Sequence, residues 1–240
     1  MVRGLNSQAK TFGLTLPNCK WIEVENEDWN LSWKKKWAPD PIGISILILP
    51  AWLDIPKEFS ERKIIRLDPG SAFGTGSHPS TRLCIEALEN DPPIGKTVAD
   101  LGCGSGILTL TALRLGAKTT FSVDKDSLAV AATKLNFALN DFPESLLNVY
   151  LGSIEELAGN IPSEKIDVML CNILAPTIKS LGPNFNRIIA NKGKVVLSGL
   201  LVEQIKELEE FFYLIGWEVN DTKEKDHWAL MEITRKLNSH

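Results

Sequence analysis

The sequence is poor in histidine and cysteine, and those that it has are scattered. Three histidines and four cysteines occur in 240 residues, with no C-x-x-C pair and no spacing typical of zinc ligands. We therefore expect no metal site. Isolated cysteines in apolar or turn contexts are typical of reduced thiols, which indicates a cytoplasmic protein.

The sequence also lacks an excess of charge and a long apolar run. Its net charge is −4, which gives no basic surface for sequence-independent binding to nucleic acid or to an anionic membrane. It does not begin with a signal segment, and its longest apolar stretch, around residues 42–52, is interrupted by proline and too short to span a bilayer. We expect a soluble cytoplasmic monomer that binds no membrane and forms no stable complex with nucleic acid.

The most informative segment is VADLGCGSGIL at residues 98–108, whose pattern predicts a buried strand, a glycine turn and the start of a helix. Glycines let the backbone approach a ligand closely, and the helix start near Ser105 presents unpaired amide N–H groups. Asp124 ends the next apolar strand, where a carboxylate could bind both hydroxyls of a ribose. The spacing G-x-G-x-G differs from the dinucleotide pattern G-x-G-x-x-G, so we favour S-adenosylmethionine over NAD as the ligand.

From Thr97 onward, short β-branched runs alternate with helical segments, which predicts a doubly wound α/β domain with a mostly parallel sheet. Two later strand-like runs, 217–221 and 227–234, predict an antiparallel hairpin joined by a charged turn at 223–225. This is the shape of the class I methyltransferase fold. The predicted parallel strands are 97–101, 119–123, 147–151, 166–171 and 194–198, and the predicted helices begin near Ser105, Ser127, Pro176 and Leu201.

Ligands of open α/β sheets bind at the carboxyl ends of the strands, where Gly102, Asp124 and Asn172 all fall. Asn172 ends the apolar run 167–171. Its side-chain oxygen and the following backbone carbonyls can accept hydrogen bonds from an amine and hold the nitrogen lone pair toward an electrophilic methyl group. The alternative role for Asn172 is a helix N-cap.

The segment 67–81, rich in glycine and other small residues, precedes the first parallel strand. It lacks the lysine of a phosphate-binding P-loop, which disfavours nucleotide hydrolysis. We predict a cofactor lid in which Phe73 covers an apolar part of the ligand, the alternative being an ordinary turn-rich connection. Pro79 and Ser80 predict the start of a helix with Thr81 in its first turn. For His78 we favour a loop residue over a catalytic base.

The first 40 residues differ from the rest in character. Trp29, Trp33 and Trp37 recur every four residues and would form one aromatic stripe on a helix. We favour a stripe that packs on the main domain over one that docks a partner through exposed rings. The predicted parts are a short N-terminal segment with a tryptophan-bearing linker helix over residues 1–40, and a main domain over residues 41–240.

Taken together, these motifs resemble the PrmA family, whose members methylate protein eleven of the large ribosomal subunit. The resemblance covers roughly residues 29–233 and implies that the main domain is the catalytic methyltransferase domain. It implies S-adenosylmethionine contacts from Phe73, Thr81, Gly102, Gly104, Asp124 and Asn172, and it places Asn172 and Leu174 beside the target amine. The motifs that carry it are LDPG at 67–70, AFGTG at 72–76, HPST at 78–81, DLGCGSGIL at 100–108, NILA at 172–175 and LSGLL at 197–201.

One feature departs from the family pattern. The family usually carries a complete ferredoxin-like domain before the tryptophan-bearing linker, and that domain grips the ribosomal protein. About 25 residues precede the linker here, too few for two βαβ units of ~30 residues each. We therefore expect either a truncated chain or a different way of recognising the substrate.

The function we expect is an S-adenosylmethionine-dependent N-methyltransferase that acts on lysine side-chain or N-terminal amines of a large-subunit ribosomal protein. The sequence shows no evident general base, so acceleration would come from aligning a neutral amine with the methyl group. Two alternatives stay open at this point. One is a non-catalytic cofactor-binding module that docks a partner, and the other is an N-methyltransferase of RNA or of a small amine.

Overall fold

The computed structural model describes residues 37–68, 74–162 and 165–236. The chain divides into two units, Met1–Trp37 and Ala38–His240, and nearly all described residues belong to the second. The predicted stripe residues Trp29 and Trp33 lie outside the described residues, as does Phe73. The division into parts 1–40 and 41–240 therefore stays a prediction.

The second unit is built on a seven-stranded sheet. Its strands are β4 (Thr97–Leu101), β5 (Thr119–Asp124), β6 (Leu147–Leu151), β7 (Ile166–Asn172), β8 (Ile189–Leu201), β9 (Trp217–Lys225) and β10 (Trp228–Arg235). They lie in the order β6-β5-β4-β7-β8-β10-β9. The five strands from β6 to β8 are parallel, and β10 runs antiparallel to both β8 and β9. This confirms the predicted doubly wound sheet with a C-terminal hairpin.

Helices cover both faces of this sheet, which is why most residues of β4 and β7 are buried. On one face the rings of Phe185 and Phe212 stack 5.9 Å apart, and Trp217 meets Phe185 edge-on at 6.2 Å. Among the described residues, no helix combines the length and apolarity needed to cross a membrane. The α-helices are α1 (Pro79–Asn90), α2 (Ile107–Arg114), α3 (Ser127–Ala138), α4 (Ile154–Asn160), α5 (Ala175–Leu181), α6 (Phe185–Ile188) and α7 (Ile205–Leu214), with 3-10 turns at Lys57–Phe59, Glu144–Leu146, Gly182–Asn184 and Val202–Gln204.

The turn of the C-terminal hairpin is the main error in the predicted elements. Residues 223–225 belong to β9 and pair with 228–230 of β10, so the connection is the two-residue turn Asp226–His227. Asp226 has a φ of 57°, a left-handed conformation that aspartate tolerates and that tight hairpin turns require. The position of the turn is therefore set by the residue that can adopt a left-handed conformation, and not by the charged run. Residues 223–225 lie on the edge strand β9.

A second sheet, which the sequence patterns did not predict, precedes the first parallel strand. It consists of β1 (Asp40–Ile42), β2 (Ile46–Pro50) and β3 (Lys63–Leu67), with β2 antiparallel to β1 and parallel to β3. All of β2 is buried, so the apolar run at 42–52 contains a core strand. The side-chain amide of Asn140 donates to the carbonyl oxygen of Arg66 and accepts its N–H, both at 2.8 Å, which ties β3 to the end of α3.

Candidate active site

The glycine turn follows β4, as predicted. Gly102, Gly104 and Gly106 have φ values of 82°, 55° and 82°, a conformation that other residues rarely adopt. Gly102 also has no room for a side chain, because a Cβ there would lie 2.5 Å from Cγ2 of Ile173. The left-handed Gly106 delays the helix, so α2 begins at Ile107 and not at Ser105. The turn thus brings bare backbone to the carboxyl edge of the sheet.

Asp124 lies beside this turn at the end of β5. One carboxylate oxygen accepts the N–H of Gly104 at 3.0 Å, and the other accepts the N–H of Asp126 at 3.0 Å. An ionised carboxylate has about four acceptor sites, so two backbone donors leave capacity for two hydroxyls of a ligand. The predicted pair of glycine turn and carboxylate is therefore brought together by the fold.

Asp100, in the strand before the turn, is a polar group whose importance the sequence analysis missed. It is 1% exposed and accepts hydrogen bonds from the N–H and the Oγ1 hydroxyl of Thr109, at 3.1 and 2.7 Å. Burial raises the pKa of Asp100 to about 6, against the opposing effect of the Thr109 hydrogen bonds, and the charge of Asp124 adds to the rise. The carboxylate thereby holds the first turn of α2 against the end of β4. The signal was present in the sequence as an aspartate within an apolar strand.

Asn172 ends β7 on the same edge. Its Nδ2 lies 3.2 Å from Oγ1 of Thr81, a donation that joins β7 to the first turn of α1 across 91 positions of sequence. The N-cap of α5 is Leu174, so the alternative role of Asn172 as a helix cap is wrong. Thr81 is 1% exposed and engaged with Asn172, and its own contact with a cofactor stays a prediction.

A cavity of about 360 Å³ opens beside Asn172. Leu174 is 66% exposed at this cavity, which fits a residue predicted to lie beside a substrate. Trp228, the first residue of β10, lines the cavity and was missed in the sequence, because only strand pairing brings it to this edge. The lining residues are His78, Ser80, Asn172, Ile173, Leu174, Gly199 and Trp228.

Gly199 shapes the floor of the same cavity. Its φ is 78°, and a Cβ there would lie 2.6 Å from the carbonyl oxygen of Ile173 and 3.1 Å from Oδ1 of Asn172. Any side chain at this position would displace the end of β7. The glycine of the motif at 197–201 therefore keeps Asn172 in place.

His78 caps α1. Its Nδ1 accepts the N–H of Ser80 at 3.3 Å and lies 2.7 Å from the Ser80 hydroxyl. Its ring also meets the indole of Trp228 nearly edge-on, with centroids 4.4 Å apart and planes at 71°. His78 thus caps helix α1 and lines the cavity. This position fits the predicted role of a loop residue, which we favoured over that of a catalytic base.

A larger cavity, of about 690 Å³, lies between α3 and β6. Phe137, Phe142 and Tyr150 line it, together with Lys134 and Glu144, and none of the predicted site residues does. The chemistry therefore points to the smaller cavity, which Asn172 lines and whose Ile173 also packs against Gly102.

Metal and thiol chemistry receive no support from the described parts of the chain. There, no group of three or more His, Cys, Asp or Glu side chains is arranged to hold a metal ion. Cys84, Cys103 and Cys171 are buried, and burial raises the pKa of each thiol well above its ordinary value. These three cysteines are not activated as nucleophiles.

Comparisons with known proteins agree with one another. The family model described as ribosomal protein L11 methyltransferase (PrmA) matches residues 3–236. The chain is 52% identical over 236 residues to ribosomal protein L11 methyltransferase of Parasynechococcus marenigrum (strain WH8102), covering 98% of this chain and 82% of that protein. It is 48% identical to the protein of the same name in Prochlorococcus marinus (strain MIT 9313), covering 98% of this chain and 78% of that protein.

Two solved structures extend the comparison. The ribosomal protein L11 methylase from Lactobacillus delbrueckii subsp. bulgaricus is similar with a TM-score of 0.75 and 29% identity, covering 84% of this chain and all of that one. The fibrillarin pre-rRNA processing protein of Methanococcus jannaschii is similar with a TM-score of 0.52 and 14% identity, over 60% of this chain and 68% of that one. The second likeness shows a shared fold only.

Proposed function

Because the chain belongs to the ribosomal protein L11 methyltransferase (PrmA) family of S-adenosylmethionine-dependent enzymes, we propose that it methylates lysine side-chain or N-terminal amines of ribosomal protein L11. The observation that carries the proposal is that Asn172 and Ile173 line an open cavity, while Ile173 also packs against Gly102 of the glycine turn. We further propose that the protein acts as a monomer in the cytoplasm, where its substrate is made, without a stable nucleic-acid complex.

The residues at the sheet edge fit the cofactor. The bare turn at Gly102 and Gly104 would accommodate its amino-acid part, and the Asp124 carboxylate would accept its ribose hydroxyls. When bound, S-adenosylmethionine supplies a methyl group on a positively charged sulfonium. Phe73, Thr81 and Asn172 complete the proposed cofactor set.

Asn172 and Leu174 would position the acceptor. Nδ2 of Asn172 donates to Thr81, so Oδ1 is the side-chain atom that would accept an N–H of the amine. That hydrogen bond, with one to a backbone carbonyl near Leu174, would aim the nitrogen lone pair at the methyl group. The N–C bond forms as the C–S bond breaks, the electron pair returns to sulfur, and the amine releases a proton to solvent.

Alignment supplies the acceleration in this scheme. Holding two reactants in line contributes ~7–11 kcal/mol in well-oriented reactions, and no strong base is required if the amine enters neutral. Partial desolvation in an apolar cavity favours the neutral amine over the ammonium, because burial disfavours the charged form.

The direct test is transfer of labelled methyl groups to purified large-subunit ribosomal proteins, with ribosomal RNA and free lysine in parallel. We expect label in L11 alone. Label in RNA or in lysine, with none in L11, would refute the proposed substrate while keeping the methyltransferase chemistry. Cofactor binding without transfer to any of these acceptors would refute both the substrate and its positioning by Asn172.

A further inference from the structure

Two side chains of helix α3 donate hydrogen bonds to carbonyl oxygens of the glycine turn, and both are fully buried. Oγ1 of Thr133 lies 3.0 Å from the carbonyl oxygen of Gly104. One helical turn later, Nδ2 of Asn136 lies 2.8 Å from the carbonyl oxygen of Ser105. Oγ1 of Thr133 also lies 3.3 Å from Sγ of Cys103, but a hydroxyl has one proton and sulfur is the weaker acceptor. The carbonyl oxygen of Gly104 therefore takes the hydrogen bond of Thr133.

Thr133 also packs directly against the turn. A Cβ at Gly106 would lie 2.9 Å from Cγ2 of Thr133 and 3.1 Å from its Cα. The backbone of the turn thus lies close to the backbone of α3, and this contact excludes a side chain at position 106. The Thr133 hydroxyl therefore acts on a peptide group that has little room to move.

The hydrogen bond from Thr133 orients the next amide of the turn. In a planar trans peptide, the C=O of one residue and the N–H of the next residue point in opposite directions. The carbonyl of Gly104 points to Thr133 on α3. The N–H of Ser105 consequently points away from α3.

The amide of Ser105 differs from the other amides of the turn. The other N–H groups of residues 102–106 donate to acceptors within the protein, whereas the N–H of Ser105 has no acceptor among the described residues. Ser105 is buried, and a buried N–H without an acceptor costs free energy. An acceptor supplied by a ligand would remove that cost. The carboxylate in the amino-acid part of the cofactor is an acceptor of this kind.

We propose that Thr133 is a positioning residue for the cofactor: it holds the Ser105 N–H toward the carboxylate of S-adenosylmethionine and so favours ligands that carry the amino-acid part. This rests on the proposed function, which places the amino-acid part at the glycine turn. Thr133 touches no ligand atom in this scheme and acts through the peptide group between Gly104 and Ser105. Loss of its hydroxyl should therefore weaken only those ligands that have the carboxylate.

Calorimetry on the full chain with two probes tests this. The probes are S-adenosylhomocysteine and 5′-methylthioadenosine, which keeps the adenosine and the thioether but lacks the amino-acid part. In Thr133→Val, we expect affinity for S-adenosylhomocysteine to fall about three- to tenfold and affinity for 5′-methylthioadenosine to stay unchanged. Equal losses for both probes, or no loss for either, would overturn the proposal, because a purely structural role would weaken the whole site.

Two further variants control for the loss of a buried hydroxyl. Thr133→Ser keeps the donor and should restore the wild-type ratio of the two dissociation constants, and a ratio as low as in Thr133→Val would overturn the proposal. The matched control is Thr120→Val, at another fully buried threonine whose hydroxyl donates to a carbonyl oxygen, that of Leu146 at 3.1 Å. We expect the ratio to be unchanged in it. Retained affinity for 5′-methylthioadenosine shows that each variant is folded.

NMR on the wild-type chain gives a second measurement that does not depend on the folding of a variant. We expect the amide proton resonance of Ser105 to shift downfield when S-adenosylhomocysteine binds, because the N–H gains a charged acceptor. The shift with 5′-methylthioadenosine should be much smaller. Equal shifts with the two probes would overturn the proposal.

Methyl transfer to L11 separates this inference from the proposed function. Transfer to L11 by the wild type, together with an unchanged ratio of dissociation constants in Thr133→Val, would refute the inference and leave the function standing. A reduced ratio in Thr133→Val, with no transfer to L11 by the wild type, would support the role of Thr133 and refute the proposed substrate.

Discussion

The side-chain amide of Asn136 donates to the carbonyl oxygen of Ser105 at 2.8 Å, so that helix α3 is bonded directly to the glycine turn. Its Oδ1 accepts the N–H of Asp68 at 2.8 Å, at the end of β3. At the other side of residues 69–73, the Ser105 hydroxyl donates to the carbonyl oxygen of Gly74 at 2.6 Å. One buried asparagine therefore connects the second sheet, the glycine turn and α3.

Replacing Asn136 should destabilise the fold. In Asn136→Ala the buried carbonyl of Ser105 and the N–H of Asp68 both lose their partner, and each loss costs ~1–3 kcal/mol. Urea denaturation measures the free energy of unfolding. Asn160→Ala is the control, since Asn160 is exposed and its hydrogen bonds to Glu156 lie at the surface. A loss no larger in Asn136→Ala than in the control would contradict the role assigned to Asn136.

Replacing Asp124 should weaken cofactor binding. Asp124→Ala removes charge-assisted hydrogen bonds of ~1.5–3 kcal/mol each, so affinity for S-adenosylmethionine is expected to fall at least tenfold. Calorimetry measures the dissociation constant, with the exposed Asp221→Ala as control. Unchanged affinity in Asp124→Ala would remove Asp124 from the ribose site.

Replacing Asn172 should act mainly on turnover. Asn172→Ala removes the acceptor for the amine and the bond to Thr81, and misplacement of a reactant by about 1 Å can cost ~100-fold in rate. We expect single-turnover rates to fall by that order, with a smaller loss of cofactor affinity. Asn148→Ala on the edge strand β6 serves as the control. Full turnover in Asn172→Ala would end the positioning role.

The rate of methyl transfer should rise with pH. Only the neutral amine carries a lone pair, and an unperturbed lysine has a pKa near 10.4, so the neutral fraction grows about tenfold per pH unit between pH 7 and 9. Single-turnover experiments with saturating cofactor measure the chemical step. A flat rate over this range would contradict entry of a neutral amine.

Asp100 should make stability depend on pH. Its pKa of about 6 in the folded protein lies above the ordinary value of 3.8, so its contribution to stability is fully present below pH 3.8 and is lost as the pH rises through 6. Asp100→Asn removes this dependence. The free energy of unfolding of the variant, relative to wild type, should increase by about 3 kcal/mol between pH 3 and 8. Urea denaturation at both pH values tests this, and a constant difference would contradict the raised pKa of Asp100 in the folded protein.

Much of the fold could be predicted from the sequence. The strand limits 97–101 and 147–151 were predicted correctly, because short, largely apolar runs bounded by turn residues are a local signal. The helix limits were displaced where a terminus depends on its surroundings: α7 begins at Ile205 after a 3-10 turn, four residues beyond the prediction at Leu201. The three-stranded sheet was missed, since β2 and β3 pair in parallel across an intervening 3-10 turn.

The glycine turn, its carboxylate partner and the alternation of strands and helices could all be predicted from local sequence. These depend on backbone conformation and on periods of two to four residues, which are set by neighbouring positions. Which distant side chains share the cavity beside Asn172 depends instead on how the whole chain folds. Asn172, His78 and Trp228 meet there because strand order and register fold the chain back on itself, and register depends on pairing and packing across the whole sheet.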